Sequence, residues 1–172
     1  MMKVMTSVAA LAITAACGHA QRLAGNMAFG TWKMNTARST FPADPPPKSL
    51  TLRIDPHTKG EVFTLDMIEA DGRAATSSTI LYFDGKARDF QDVGCSGTQS
   101  SRRMDTRTVE ILRKCASGQW TRLVRRLAEQ PEELILDITG QQPDGRLFKK
   151  RLVLERPSAR LELGGNKERR NR

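Results

Sequence analysis

The chain has 172 residues and a formal net charge of +9, with 28 Lys and Arg residues against 19 Asp and Glu residues. This length suits one domain whose core is large enough to fold alone. The basic excess predicts loose attraction to anionic envelope surfaces or polyanions. Specific nucleic-acid binding is not expected, because the chain has only six Phe, two Trp and one Tyr and carries no RNP, zinc or helix-turn-helix pattern.

Residues 1–20 have the pattern of an export signal. Lys3 supplies a positive charge, and Val4 to Ala16 form an apolar segment that suits a signal peptide and is too short to span a membrane. Small residues favour cleavage after Ala20, which leaves residues 21–28 as a lead-in to the folded domain. The sequence therefore predicts a periplasmic or secreted protein without a transmembrane span.

Cys17 supports a rival interpretation of the same segment. It follows small residues, so its lipidation would anchor the protein as a lipoprotein. Thr14, however, occupies the position where a lipobox has an aliphatic residue. Both alternatives export the folded domain.

The first predicted strand, 29–35, contains Gly30 and Trp32. A Gly-x-Trp on the opening strand of an antiparallel barrel allows one large indole to plug the closed end. The next segment, 36–47, contains four prolines, which exclude both a helix and a regular ladder. It is predicted to be an extended connection across the mouth or the bottom of the barrel.

The later segments alternate apolar and polar residues with a period of two, as half-buried strands do. Turn dipeptides such as Asp71-Gly72 and Asp144-Gly145 separate them. Their spacing favours an antiparallel meander over a parallel sheet, which needs crossover helices. The predicted strands are 29–35, 48–55, 61–69, 74–83, 87–91, 98–104, 107–113, 119–128, 132–139 and 147–155.

This number of short strands exceeds what an open sheet usually holds without curling. Closure also removes both exposed edges. The predicted fold is therefore all-β, an antiparallel up-and-down β-barrel of about eight to ten strands over 29–157, with space for side chains and one small ligand. Residues 158–172 form a basic tail without an apolar partner and are predicted to be disordered.

Cys95 and Cys115 are the two cysteines that follow the signal segment. In an oxidising compartment an even pair usually forms a disulfide, which would stabilise the fold by roughly 3 kcal/mol. The alternative is two free thiols. A metal site is not expected, because His57 is the only histidine left to join them and is distant in sequence.

The predicted strand 119–128 carries Arg122, Arg125 and Arg126 on both of its faces, so the barrel must enclose a basic residue. A buried, unpaired arginine is costly unless it meets water or an anion. These three residues are therefore candidates for recognising a carboxylate-bearing ligand. The alternative is that they are exterior arginines whose stems cover apolar surface.

The opening strand Phe29-Gly30-Thr31-Trp32-Lys33 resembles the first strand of the calycins, which are the lipocalins and the intracellular fatty-acid-binding proteins. It resembles more closely a group of uncharacterised exported bacterial proteins with an N-terminal Gly-Thr-Trp-Lys strand. The further residues that match this group are Asn35, Ser39, Phe41, Pro45 to Pro47, Lys48, Ser49 and Tyr82 to Lys86. The resemblance covers most of 29–156.

The resemblance implies a lipocalin-like barrel and a small apolar ligand. It also implies that an arginine of the last strand, Arg151 or Arg156, covers Trp32 through a cation–π contact. Two features depart from the familiar carriers. The proline-rich 36–47 cannot supply a helical lid, and neither arginine has the Tyr two residues later that completes a fatty-acid carboxylate site.

The sequence leaves two function classes open. The first is a monomeric carrier of a small apolar or carboxylate-bearing ligand. The second is an envelope protein-interaction module or inhibitor with a filled barrel. An enzyme is not expected, because no Ser-His-Asp set, phosphate loop, metal motif or Rossmann glycine run is present, and no cofactor is expected either.

Overall fold

A computed structural model describes residues 27–42, 45–92, 94–129 and 132–157. The predicted signal segment 1–20, with Cys17, and the predicted tail 158–172 lie outside the described residues. The predicted barrel falls almost entirely within them.

Ten antiparallel strands form one up-and-down sheet, which curls because the first strand pairs with the last. Each other strand pairs with its neighbour in sequence, except that β4 does not pair with β5. The predicted all-β fold, an antiparallel up-and-down barrel of eight to ten strands, is confirmed, and the barrel is nearly closed. The strands are β1 Gly30–Met34, β2 Ser49–His57, β3 Gly60–Ile68, β4 Ala74–Leu81, β5 Arg88–Asp92, β6 Cys95–Arg103, β7 Thr108–Cys115, β8 Trp120–Leu127, β9 Glu133–Gln141 and β10 Leu147–Glu155.

The alternating pattern of each strand determines which side chains face inward. In β2 the apolar residues Leu52 and Ile54 are fully buried, while their polar neighbours face outward. Trp32 of β1 lies opposite Leu52, which lies opposite Leu65 of β3. The core is therefore concentrated between β1, β2 and the ends of β9 and β10, where Leu134, Leu136, Leu152 and Leu154 are also buried.

Strand β6 begins at Cys95, three residues before the start that the sequence predicted. The Gly- and Ser-rich sequence carries little hydrophobic pattern, but β6 pairs with β5 on one side and β7 on the other. Gly97 allows the close approach to β7, because a Cβ at this position would lie 2.0 Å from the Lys114 carbonyl oxygen. Pairing on both sides thus overrides weak local propensity.

The seam between β4 and the β5–β6 hairpin lacks a continuous backbone ladder among the described strands. Side chains bridge most of it, and one backbone hydrogen bond from the Gly85 amide to the Ser101 carbonyl, at 2.9 Å, lies at its end. Ser77 Oγ donates to Asp92 Oδ2 at 2.5 Å, and Gln99 Nε2 donates to Thr79 Oγ1 at 2.8 Å. The expectation that closure removes both sheet edges is therefore wrong at this seam.

The up-and-down order gives the barrel two ends. The tryptophan end holds the start of β1 and the β2–β3, β6–β7 and β8–β9 turns. The proline end holds the other hairpin turns and the described parts, 35–42 and 45–48, of the connection between β1 and β2. This connection begins with a 3-10 helix, Thr36–Arg38, and runs along β10, where the Thr40 amide donates to the Arg151 carbonyl at 2.7 Å.

Candidate functional site

A buried stack of Trp32 and Arg156 lies at the tryptophan end. Trp32 is fully buried, and its Nε1 donates to the Ala28 carbonyl at 2.8 Å. The guanidinium carbon of Arg156 lies 4.3 Å from the centre of its ring. Gly30 has φ +112, and a Cβ there would lie 2.9 Å from Arg156 Nη1, so glycine leaves room for the arginine.

Of the two arginines that the resemblance offered, Arg156 makes the contact with Trp32. Arg151 lies instead on the outer face of β10 and donates from Nε to Asp137 Oδ1 at 2.7 Å. The indole and its covering arginine thus join the lead-in, β1 and the end of β10. The role of Gly30 and Trp32 as a plug stays a prediction.

A buried ion pair lies near the same end. Arg125 Nη1 donates to Glu61 Oε2 at 2.6 Å, and both side chains are only 2% exposed. Arg103 donates to the other carboxylate oxygen at 3.2 Å and lies over the Phe83 ring. Pairing offsets the cost of burying these charges, since each has a partner of opposite sign.

The structure separates the three arginines that the sequence singled out. Arg125 points into the barrel, whereas Arg122 and Arg126 lie on the outer face of β8. Arg122 binds Glu110, and Arg126 binds Asp137. Arg125 is thus the one of the three that faces the interior, where it is paired with Glu61. A ligand-binding role for these residues stays a prediction.

A cavity with a volume of about 510 Å3 lies at the proline end. Its wall is mostly apolar, with Lys150 contributing a half-buried amine from the inner face of β10. Glu69 and Asp71, at the β3–β4 turn, add acidic side chains. The other lining residues are Phe41, Pro45, Pro47, Leu50, Leu65, Met67, Ala70, Ile138 and Leu152.

A second, smaller cavity of about 70 Å3 adjoins it, because Leu65 lines both. Its polar wall contains Ser77, Asp92 and Arg113. Arg113 Nε donates to Gln99 Oε1 at 2.9 Å. Burial lowers the pKa of Arg113, and the nearby charge of Asp92 opposes this effect.

Sequence reasoning did not single out Arg113 and Lys150. Arg113 continues the inward series of Val109 and Ile111, and Lys150 lies between the inward Phe148 and Leu152. The sequence signal that would have identified Arg113 and Lys150 is a basic residue at an inward-facing position of a strand. The two cavities together present an apolar chamber beside a small polar one with a buried guanidinium.

Cys95 and Cys115 form the predicted disulfide between β6 and β7 at the proline end, with an S–S distance of 2.02 Å and a Cα–Cα distance of 5.2 Å. Within the described residues, no group of three or more His, Cys, Asp and Glu could hold a metal ion. No helix in this part of the chain combines the length and the apolar character needed to cross a membrane.

No family model matches the chain, and no curated protein matches it significantly. Among solved structures, the fold is similar to that of a fatty acid binding protein from Schistosoma mansoni, in complex with arachidonic acid. The TM-score is 0.53 at 10% sequence identity, and the match covers 78% of this chain and 99% of that chain. At this identity the likeness concerns the fold, a lipocalin-like and fatty-acid-binding-protein-like barrel.

Proposed function

We propose that this protein is an exported lipocalin-like carrier that binds a small, partly apolar, carboxylate-bearing ligand inside its barrel. The observation that carries the proposal is the 510 Å3 cavity at the proline end. Its volume lies within the range of roughly 300–1,000 Å3 that is typical of small-molecule sites, and its wall is mainly apolar. The rival function, an interaction module with a filled barrel, fits such a cavity less well.

The ligand's apolar part would lie against Leu50, Met67 and Leu152, which line the large cavity. Its carboxylate would meet a cation at one side. Lys150 offers an ammonium group in the same cavity, and Arg113 offers a guanidinium in the adjoining one. A charged hydrogen bond formed away from water contributes more than one at the surface, so either cation would favour an acid over a neutral analogue.

A change of cavity volume tests the proposal. In the variant Leu65→Trp, the larger ring fills the space between the two cavities. We expect it to lower the affinity for the fluorescent fatty acid cis-parinaric acid more than about tenfold, because an occupied cavity excludes the chain. The matched control is Ile68→Trp, which places the same side chain on the outer, exposed face of the same strand.

Titration of the probe's fluorescence measures both variants. The proposal is wrong if the unmodified protein does not bind the probe, or if the two variants lose affinity equally. Circular dichroism shows whether each variant is folded. Native mass spectrometry of protein taken from its source extends the test, since a co-purifying small molecule supports a carrier and a co-purifying protein supports an interaction module.

The variant Lys150→Met tests whether Lys150 is the cation that binds the ligand's carboxylate. Lys149→Met, on the outer face of the same strand, is its control. If Lys150 binds the carboxylate, the variant binds the acid about tenfold or more weakly and leaves the affinity for the methyl ester unchanged. An equal effect on acid and ester assigns Lys150 to the wall of the cavity and leaves Arg113 as the partner.

The proposed setting is the periplasm or the exterior of the cell. The Cys95–Cys115 disulfide supports it, since such bonds persist in oxidising compartments. The intact mass of protein isolated from its source distinguishes cleavage after Ala20 from lipidation at Cys17. A mass that retains residues 1–20 would contradict both.

A further inference from the structure

The strand register assembles a basic surface on the outside of the barrel at the proline end. Two rows of outward residues run across β10, β9, β8, β7 and β6, and neither row contains an acidic residue. We call these rows the basic face. The first row is Leu147, Gln141, Trp120, Lys114 and Thr98, and the second is Lys149, Thr139, Arg122, Leu112 and Ser100.

Three apolar side chains of the basic face are exposed to solvent. Leu147, at the β9–β10 turn, is 75% exposed, Leu112 is 37% exposed and Trp120 is 36% exposed. Lys114 and Lys149 are exposed beside them. The surface therefore combines an indole and two leucines with flexible cations, and the long lysine stems can bend away from apolar contacts.

The next row toward the tryptophan end, Arg151, Asp137, Val124, Glu110 and Arg102, has no net charge. Its acids, Glu110 and Asp137, are each bound by two arginines. Arg102 and Arg122 contact Glu110 at 2.5 and 2.7 Å, and Arg126 and Arg151 contact Asp137. Four arginines therefore surround two carboxylates. The acids are neutralised, and the outer surface of β6–β10 remains cationic.

We propose that the basic face docks this protein on an anionic lipid surface, with Trp120 and Leu147 inserted at the level of the headgroups. Indoles favour the interface between headgroups and acyl chains, and each Lys or Arg near an anionic leaflet adds attraction. A protein partner is less favoured, because the apolar residues are dispersed among cations rather than gathered into a patch.

The position of the basic face links it to the cavity. Ile138 and Lys150 line the cavity from the inner side of β9 and β10, while Thr139 and Lys149 of the same strands belong to the basic face. Docking would therefore hold the proline end, where the cavity lies, close to the bilayer. The docking proposal does not depend on what occupies the cavity.

Binding to vesicles of two compositions tests the proposal. One contains phosphatidylcholine alone, and the other contains about 30 mol% phosphatidylglycerol. We expect the protein to sediment with the anionic vesicles, to be released at about 0.5 M NaCl, and to show a blue-shifted Trp emission on binding. Trp120→Phe should keep the binding and remove the shift, since Trp32 is already buried.

The decisive variant is Lys114→Glu with Lys149→Glu, which should weaken partitioning onto the anionic vesicles by more than about 30-fold. Its matched control is Lys59→Glu with Lys86→Glu, which makes the same charge change at exposed positions of the tryptophan end. All variants keep the basic sequence 158–172, so any contribution of that sequence is common to them.

Three outcomes would overturn the proposal. The first is equal binding to both vesicle compositions, or none to either. The second is an equal loss in the variant and its control, which would indicate attraction by net charge alone. The third is self-association that increases with protein concentration in sedimentation velocity. If the variant Lys114→Glu with Lys149→Glu abolishes this self-association and leaves vesicle binding unchanged, the basic face binds a second copy of the chain.

Discussion

Trp32 joins the beginning and the end of the barrel through three different contacts. Its ring packs in the core, its Nε1 donates to Ala28, and Arg156 covers its outer side. Arg156 also donates to the Phe29 carbonyl at 3.1 Å, which binds the chain before β1 to the chain after β10. The backbone pairing of β1 with β10 involves few residues. The contacts of Trp32 and Arg156 therefore add stability where the first and last strands meet.

Replacing Trp32 tests whether this residue stabilises the fold rather than contacts a ligand. Trp32→Ala should lower the free energy of unfolding by about 3–5 kcal/mol, because it removes a large buried ring and leaves a cavity. Denaturant unfolding followed by circular dichroism measures the change. Trp120→Ala, at a partly exposed position, should cost much less. Unchanged stability together with lost binding of cis-parinaric acid would contradict the structural role.

At the scale of the strands, two charge clusters tie neighbours together on the outer face. Arg102 of β6 and Arg122 of β8 both bind Glu110 of β7. Burial raises the pKa of Glu110, but the hydrogen bonds from the two arginines outweigh it and hold the pKa below its ordinary value. Asp137 of β9 shows the same balance between burial and its two arginines.

The lowered pKa of Glu110 predicts the sign of a pH effect. The folded state favours the carboxylate, so its stabilisation is fully present above the ordinary Glu pKa of about 4.3 and is lost as pH falls through the lower folded pKa. Glu110→Gln should lower the free energy of unfolding at pH 7 by about 1–3 kcal/mol, because it leaves both arginines without their anion. The variant should also lose less stability than the unmodified protein on acidification.

Urea unfolding at several pH values between about 3 and 7 measures this difference. Asp89→Asn, which neutralises an exposed carboxylate on β5, provides the control. If Glu110→Gln and the unmodified protein lose stability in parallel as pH falls, the carboxylate of Glu110 does not couple these strands.

The strands illustrate what the sequence can predict. Strands β2, β3 and β10 alternate strongly, and their predicted bounds differ from the observed bounds by two residues or fewer. Strand β6 lacks that alternation, and its bounds follow from its pairing with β5 and β7 rather than from its own sequence pattern. The cavity could not be located from the sequence, since it depends on how Leu50 and Leu152 of different strands are spaced around Phe41. The same limit hid Arg113, whose partners come from other strands.

At the scale of the whole molecule, side chains make most of the contacts that hold the barrel closed at one seam. Thr79 and Gln99 link β4 to β6, Ser77 and Asp92 link β4 to β5, and the Phe83 amide donates to Ser101 Oγ at 3.2 Å. Side-chain contacts of this kind are fewer than the bonds of a backbone ladder. We therefore expect this seam to open locally at a lower free energy than any strand pair of the sheet.

Gln99 is the residue through which this expectation can be tested. It donates to Thr79 and accepts from Arg113, so Gln99→Met keeps the volume and removes both hydrogen bonds. The amides of β4 and β5 should exchange hydrogen at least about tenfold faster, because each lost partner costs about 1–3 kcal/mol. The amides of β9 and β10, which share a full ladder, should change less.

Hydrogen exchange followed by mass spectrometry resolves the two regions. Gln141→Met, on the outer face of β9, provides a control that removes a side-chain contact to the Gly145 carbonyl away from the seam. Equal acceleration in all strands of Gln99→Met would mean that the substitution lowers global stability alone. Acceleration confined to β4, β5 and β6 would instead establish that the barrel opens along this seam, on the side of the interior where Arg113 lies.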